Sequence, residues 1–280
     1  FDHILYADSD SRPDEESSIV SAFNSEIDKV LDSDLIQRFI NNSGVASDRL
    51  EAVNWMLKVH GFYHFRPETA YLSVNYLDHF LLSRTLQKGK GWHFQLLSVA
   101  CLSLAAKMEE ISVPLLLDLQ MKEPKFLFKP KTIQRMELMV MTILKWRLRK
   151  TTPFDFLHYF VHKLSCFGLI HCQHYNHVIS QSSDIIVLTC QVIEFLDYPP
   201  SAIAAAAVLC ATDQYPGERI VVCFHQRVSR EKVRKCYKLM KESICLLPQI
   251  KRPKLIQLLP SPVGVIGESC NVANIGVTGT

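Results

Sequence analysis

Apolar side chains recur along this chain every three or four residues, the spacing that lines them up on one face of an α-helix. Ile19, Phe23, Ile27, Val30 and Leu31 predict a first helix over about 17–42, stopped at Asn41-Asn42-Ser43-Gly44. The pattern resumes at Ser47, where Asp48 and Glu51 stand three apart in a capping arrangement ahead of Val53, Trp55, Met56 and Val59. Pro67, tolerated in a first turn because its missing N–H has no partner there, opens a helix through Tyr71, Val74, Leu77, Asp78 and Leu81. Gly89-Lys90-Gly91 breaks the run; a third helix is expected from Leu96 to Glu110, a short one near Leu115 to Met121, and a fifth from Lys131 to Trp146.

Thr152-Pro153-Phe154-Asp155 places a hydroxyl cap, a first-turn proline and an acid three residues after the cap, which starts a second domain. Its helices are expected over Phe154–Lys163, Tyr175–Cys190, Ser201–Ala211 and Ser229–Leu246, and no strand-like alternation interrupts them. Ser98–Ala106 and Ala204–Ala211 echo each other as small-residue helices, each third in its domain. Small side chains on every face suit a central helix wrapped by its neighbours, so two copies of one helical unit are inferred. The fold class is therefore all-α. The divisions are an acidic flexible arm (1–16), an N-terminal helix region (17–46), a first unit (47–150), a second unit (151–247) and a tail (248–280).

Composition narrows the function classes. At 280 residues and 48% hydrophobic, the chain has the apolar content for two buried cores. A formal charge of +3 is too balanced for a protein that coats a phosphate backbone, although Arg227, Arg230, Lys232, Arg234, Lys235, Lys238 and Lys241 make the last long helix strongly basic. Ala202–Ala211 is about half the ~20 residues needed to cross a bilayer, so no membrane span is expected. Nine cysteines without a C-x-x-C pair read as reduced residues of an intracellular protein, nuclear or cytoplasmic, and no signal peptide is read at the N-terminus. His171, Cys172, His174 and His177 gather zinc-type ligands but lack a second ligand segment, so no metal is assigned. Gly89-Lys90-Gly91 lacks the phosphate-loop pattern, no nucleophile elbow, kinase signature or dinucleotide fingerprint is present, and neither an enzyme activity nor a cofactor is assigned.

Four segments in order resemble the cyclins, and among them the plant D-type cyclins, across about 17–247. Arg49–Leu57 is similar to the first helix of a cyclin box and Leu72–Leu81 to its second; Leu104–Glu110 resembles the A-x-K-x-E-E turn, and Gln134–Leu138 the M-E segment. The resemblance implies two tandem five-helix cyclin boxes in a regulatory subunit that activates a cyclin-dependent protein kinase at the G1/S stage of the cell cycle. It also implies that Lys107 and Glu137 pair and reach the kinase helix carrying the catalytic Glu, beside Glu109 and Glu110. Leu104, Met141, Trp146 and Leu148 would supply the apolar part of that contact, and Arg49, Trp55 and Asp78 would hold the box together.

In the free chain the Lys107–Glu137 pair is expected to be largely solvent-exposed. Asp48 and Glu51 stand where many animal cyclins carry Met and Ile, which argues against an apolar substrate-docking groove there. Leu5-Tyr6-Ala7-Asp8-Ser9 lacks the Cys and Glu of the L-x-C-x-E motif, so a retinoblastoma-type partner is not assigned; kinase inhibitor proteins are further candidate partners. The competing readings are a DNA-binding transcription factor core built on the same repeat and an all-helical enzyme with a pocket between its units.

Overall fold

A computed structural model describes residues 13–27, 33–83, 91–120, 126–217 and 223–246. The described residues form helices and turns, with no strand among them. Two helices precede the first repeat, α1 (Pro13–Ile27) and α2 (Ser33–Ile40), where the sequence pattern predicted one. Residues 28–32, across which the sequence pattern ran one helix on, lie outside the described residues. Pro13 to Glu16, expected in a flexible arm, already belong to α1; the rest of that arm, with Leu5–Ser9, and the 248–280 tail lie outside the described residues.

The first repeat holds α3 (Ser43–Tyr63), α4 (Pro67–Ser83), α5 (Trp92–Glu109) and α6 (Pro130–Ile143). The Asn-Asn-Ser-Gly stretch read as a stop is instead a start: Asn42 is the N-cap of α3 and its side chain accepts from the Val45 N–H. Asp48 and Glu51 therefore sit within the helix, not at its head. The short fourth helix expected near Leu115 shrinks to a 3-10 turn at Asp118–Gln120. α6 stops at Ile143, short of Trp146, because Lys145 and Trp146 both take left-handed conformations (φ 51° and 61°) that no α-helix accommodates.

The second repeat holds α7 (Phe154–Cys166), α8 (Tyr175–Thr189), α9 (Pro200–Ala211) and α10 (Arg230–Leu246). Asp155 accepts from the Thr152 N–H at 2.6 Å, so the acid reaches back as the sequence predicted. The Thr152 hydroxyl, expected to cap the backbone, points to the same carboxylate at 3.0 Å.

Each repeat builds its own core around its small-residue helix. Every residue from Leu96 to Ala106 in α5 and from Ser201 to Leu209 in α9 is buried, as helices wrapped on all sides require. The second core also takes in α1 through Ile19 and Phe23, the latter ring lying 4.9 Å from Phe156. Glu26 fixes the far end of α1 by accepting from the Ser201 N–H and hydroxyl at 2.7 and 2.9 Å, which caps α9 with a carboxylate from another helix. The repeats meet through Cys190, Ile193 and Leu196, which pack into the first core, and through a 2.9 Å bond from Gln191 to Asn54.

Candidate functional site

The A-x-K-x-E-E segment ends α5, and the fold sends its side chains in different directions. Lys107, in the last turn, extends to Glu137 near the middle of α6, with 2.6 Å between Nζ and Oε1. The partners are unequally buried: the Lys107 side chain is 45% exposed and that of Glu137 only 7%. This corrects the expectation of a largely exposed pair. Ile133, Met136 and Val140, which line the inward face of α6, leave Glu137 at the edge of the packed surface, where Lys107 reaches in from the rim.

Glu110 takes a different role. Its Oε1 accepts from the Arg66 N–H at 2.7 Å and the Thr69 hydroxyl at 2.5 Å, so it caps the N-terminus of α4, where orphan donors and the helix dipole favour a carboxylate. Glu109 and Glu110 both line an open cleft of about 500 Å³ with Tyr63, Phe65, Arg66 and Pro114. Partial burial raises the Glu109 carboxyl above its ordinary value, against the lowering effect of Arg66.

The four apolar residues expected around the pair divide likewise. Leu104 is a core residue, only 4% exposed, because it lies on the inner side of the all-round apolar α5. Met141 and Leu148 are half-buried and Trp146 is exposed. The Trp146 N–H donates to the Met141 carbonyl at 2.9 Å, and the Leu148 carbonyl accepts from the Tyr76 hydroxyl at 2.5 Å, so the chain leaving α6 is fastened at both ends of this turn. Two successive non-glycine residues with positive φ store backbone strain there.

Arg49 and Asp78 form a buried bidentate pair between α3 and α4, Nε–Oδ1 2.6 Å and Nη2–Oδ2 2.8 Å. Burial disfavours the charged guanidinium, but Asp78 more than offsets this and raises the Arg49 pKa. The neighbouring Cys190 thiol is pushed up to about 12 by burial. Trp55 packs half-buried on the first core.

Sequence reading missed the exposed Ile111, Leu115, Leu117 and Leu138, because a period-3.6 pattern reads any apolar residue near a helix as core. It also missed Gln120. This fully buried side chain donates to the Leu116 and Phe128 carbonyls at 3.0 and 3.1 Å and accepts from the Phe128 N–H at 2.7 Å.

Elsewhere, no group of three or more metal-ligating residues forms a site among the described residues. No helix of the described residues is long and apolar enough to cross a membrane. In the basic α10, Lys235 pairs with Glu231, Lys241 with Asp213, and Arg234 donates to the Pro216 carbonyl.

Comparison with known proteins agrees with this architecture. Residues 20–149 match the family model of the cyclin N-terminal domain, and residues 151–255 that of the cyclin C-terminal domain. The chain is similar to Cyclin-D1-1 of Arabidopsis thaliana, 46% identical over 233 residues that cover 81% of this chain and 68% of the relative. It is 41% identical over 233 residues to Cyclin-D2-1 of Oryza sativa subsp. japonica, covering 81% of this chain and 70% of that protein. For Cyclin-D1-2 of the same organism the chain spans only 56% of the relative's length. In fold it resembles a viral cyclin from herpesvirus saimiri, with a TM-score of 0.62 at 17% identity over 83% of this chain and 98% of that one. With both of the family's domains matched in tandem and plant D-type cyclins as its relatives, the chain belongs to the cyclin family.

Proposed function

We propose that this protein is the regulatory subunit of a cyclin-dependent protein kinase, active at the G1/S transition, and that the catalysis belongs to the kinase. One observation carries the reading: the half-exposed Lys107 ammonium is held by a buried carboxylate on α6, whose next residue, Leu138, is exposed, as is Trp146 in the turn that leaves the helix. An oriented cation in an apolar rim suits a partner helix that ends in carbonyls or carries acids.

Protein kinases transfer phosphate only when a strand lysine, a helix glutamate and a metal-binding aspartate are aligned. A subunit that binds only the aligned helix shifts that equilibrium, and moving it from 1:99 to 99:1 takes about 5.5 kcal/mol of differential binding. Glu109 adds a second polar contact at the same end of α5, while Met141 and Leu148 supply partly open apolar surface. Free, buried Cys101, Cys190 and Cys236 fit a reducing compartment, nuclear or cytoplasmic.

The test is to add the purified chain to a panel of purified cyclin-dependent kinases and follow phosphate transfer to a peptide substrate. At least one kinase should bind and gain roughly a hundredfold in activity, the shift from 1 to 99% competent. Absence of binding and activation across the panel would reject the reading. Salt-dependent binding to duplex DNA in its place would favour the transcription-factor alternative.

A further inference from the structure

The positive charge of this chain is concentrated around α10. Between Arg227 and Ser243, seven Lys and Arg stand against two acids, Glu231 and Glu242, an excess of five where the whole chain has a formal charge of only +3. Helical geometry sorts these charges. Val233, Cys236 and Met240 are buried in the second core, which fixes the rotation of the helix. Arg230, Arg234, Lys238 and Lys241 then follow at i, i+4, i+8 and i+11 and share one strip beside the buried face, while Glu231, Lys235 and Glu242 fall on the next strip round.

The strip is fastened along one border. Arg234 Nε donates to the Pro216 carbonyl at 3.2 Å, and Lys241 Nζ donates to Asp213 at 2.8 Å while lying 5.7 Å from the centre of the Tyr237 ring. Tyr215, between those two anchors in the chain, stands edge-on to Tyr237 with ring centres 6.1 Å apart, and is nonetheless 71% exposed. The surface is a row of cations bordered by an open aromatic ring. Two of the cations are held in place before any partner arrives, which reduces the entropy lost on binding.

Charge decides what fits. A second copy of this chain would set cations against cations. A nucleic acid carries its charge without gaps, and its phosphates would also meet Glu231, Glu242 and the 89% exposed Asp213 alongside the strip. A short acidic peptide places its charges only where the cations are. From Arg230 to Lys241 the helix rises about 16 Å, which about five residues of extended chain span. Alternate side chains of such a chain point the same way, so acids at every second position meet the strip, and an apolar neighbour seats on Tyr215.

We propose that Arg230, Arg234, Lys238 and Lys241, with Tyr215 at their border, form a docking strip for a short, extended acidic segment of the proteins that the kinase complex phosphorylates. The strip belongs to the second repeat and the Lys107–Glu137 pair to the first, so recruitment of substrate and contact with the kinase use different parts of the chain. The inference rests on the regulatory-subunit reading and adds substrate selection to it.

The probe is a fluorescein-labelled peptide of alternating Glu with one Leu, compared with its Gln counterpart by fluorescence anisotropy on the full chain. The acidic peptide should bind at least tenfold more tightly. Arg230→Glu with Lys238→Glu should lose roughly 10- to 100-fold for it and melt within a degree or two of wild type, because both side chains are exposed. Lys131→Glu with Arg135→Glu, which removes the same charge from α6, should retain binding. Tyr215→Ala should weaken the Leu-bearing peptide several-fold and leave an Ala-bearing one unchanged. With an activated kinase of the panel, fusing the acidic segment to the substrate peptide should lower KM at least tenfold, and the α10 variant should abolish that gain without changing kcat. Equal binding of the acidic and Gln peptides, or equal losses in the α10 and α6 variants, overturns the strip and leaves the regulatory role standing. Tighter binding of duplex DNA than of the peptide assigns the strip to nucleic acid and overturns the proposal. So does a tenfold gain in peptide affinity on Asp2→Asn, Asp8→Asn and Asp10→Asn together, which would make the chain's own acidic arm the occupant. Peptide binding without activation of any kinase rejects the regulatory role and, with it, substrate selection.

Discussion

Removing either member of the Lys107–Glu137 pair deletes the same 2.6 Å contact, yet the two deletions should differ in cost because the partners are unequally buried. In Glu137→Ala the stranded group is the Lys107 ammonium, 45% exposed and free to take up water. What remains is the lost charge-assisted bond and a few buried carbon contacts, about 1 kcal/mol. In Lys107→Ala the stranded group is a carboxylate only 7% exposed, with its cation gone. Leaving such a charge unpaired costs about 2–4 kcal/mol. For a folded unit of this size, the difference corresponds to a melting temperature lower by roughly 2–12 °C in the lysine variant than in the glutamate variant. The double variant should fall close to Glu137→Ala alone, a coupling of about 2–4 kcal/mol. Urea unfolding of all four proteins, with circular dichroism at the helical band, measures these values. Equal costs for the two single variants, or a greater cost for Glu137→Ala, would refute the reasoning that burial sets the asymmetry. For kinase binding the order should invert or level: either single change breaks a pair that the complex desolvates, at about 2–5 kcal/mol, or roughly thirty- to several-thousand-fold in Kd.

Three further outcomes are expected. Asp78→Ala leaves Arg49 charged in a site where its side chain is 2% exposed, and should cost about 3–5 kcal/mol by chemical denaturation; a loss below about 1 kcal/mol would mean that water reaches the pair. Burial raises the Glu26 carboxyl above its ordinary 4.5, against the lowering effect of Ser201, so the folded chain holds that proton more tightly than the unfolded chain does. The associated stability is fully present below the unfolded value and is lost as pH rises through the raised folded one. Glu26→Gln, which keeps an acceptor for the Ser201 N–H, should therefore gain on wild type as pH rises from about 4.5 towards neutrality; a gap that narrows instead would contradict the sign. Gln120→Ala strips three hydrogen bonds between Leu116 and Phe128 and should cost about 2–4 kcal/mol while speeding amide exchange of Leu119; unchanged exchange would show that the Asp118–Gln120 turn is held by other contacts.

The sequence by itself determined the helical class, the tandem repeat and its central helices. These rest on local spacing, and the small residues of Leu96–Ala106 and Ser201–Leu209 meet the same demand wherever a helix is wrapped on all sides. It also determined the start of α7, because the Asp155 carboxylate reaches back to the Thr152 N–H within four residues. Only the tertiary structure decided what depends on a distant partner. Asn42 reads equally as a stop or a cap until the helix that follows is seen. Glu109 and Glu110 are identical neighbours in sequence and line one cleft, yet the second is the one that caps α4, whose first turn arrives from more than forty residues away. Leu104 and Leu115 are the same residue type, and the first is core while the second is surface because α5 is enclosed by other helices and the 111–120 turn is backed on one side only. The unequal burial of Lys107 and Glu137 follows for the same reason: spacing can suggest that two charges meet, but the depth of each is set by what packs around it.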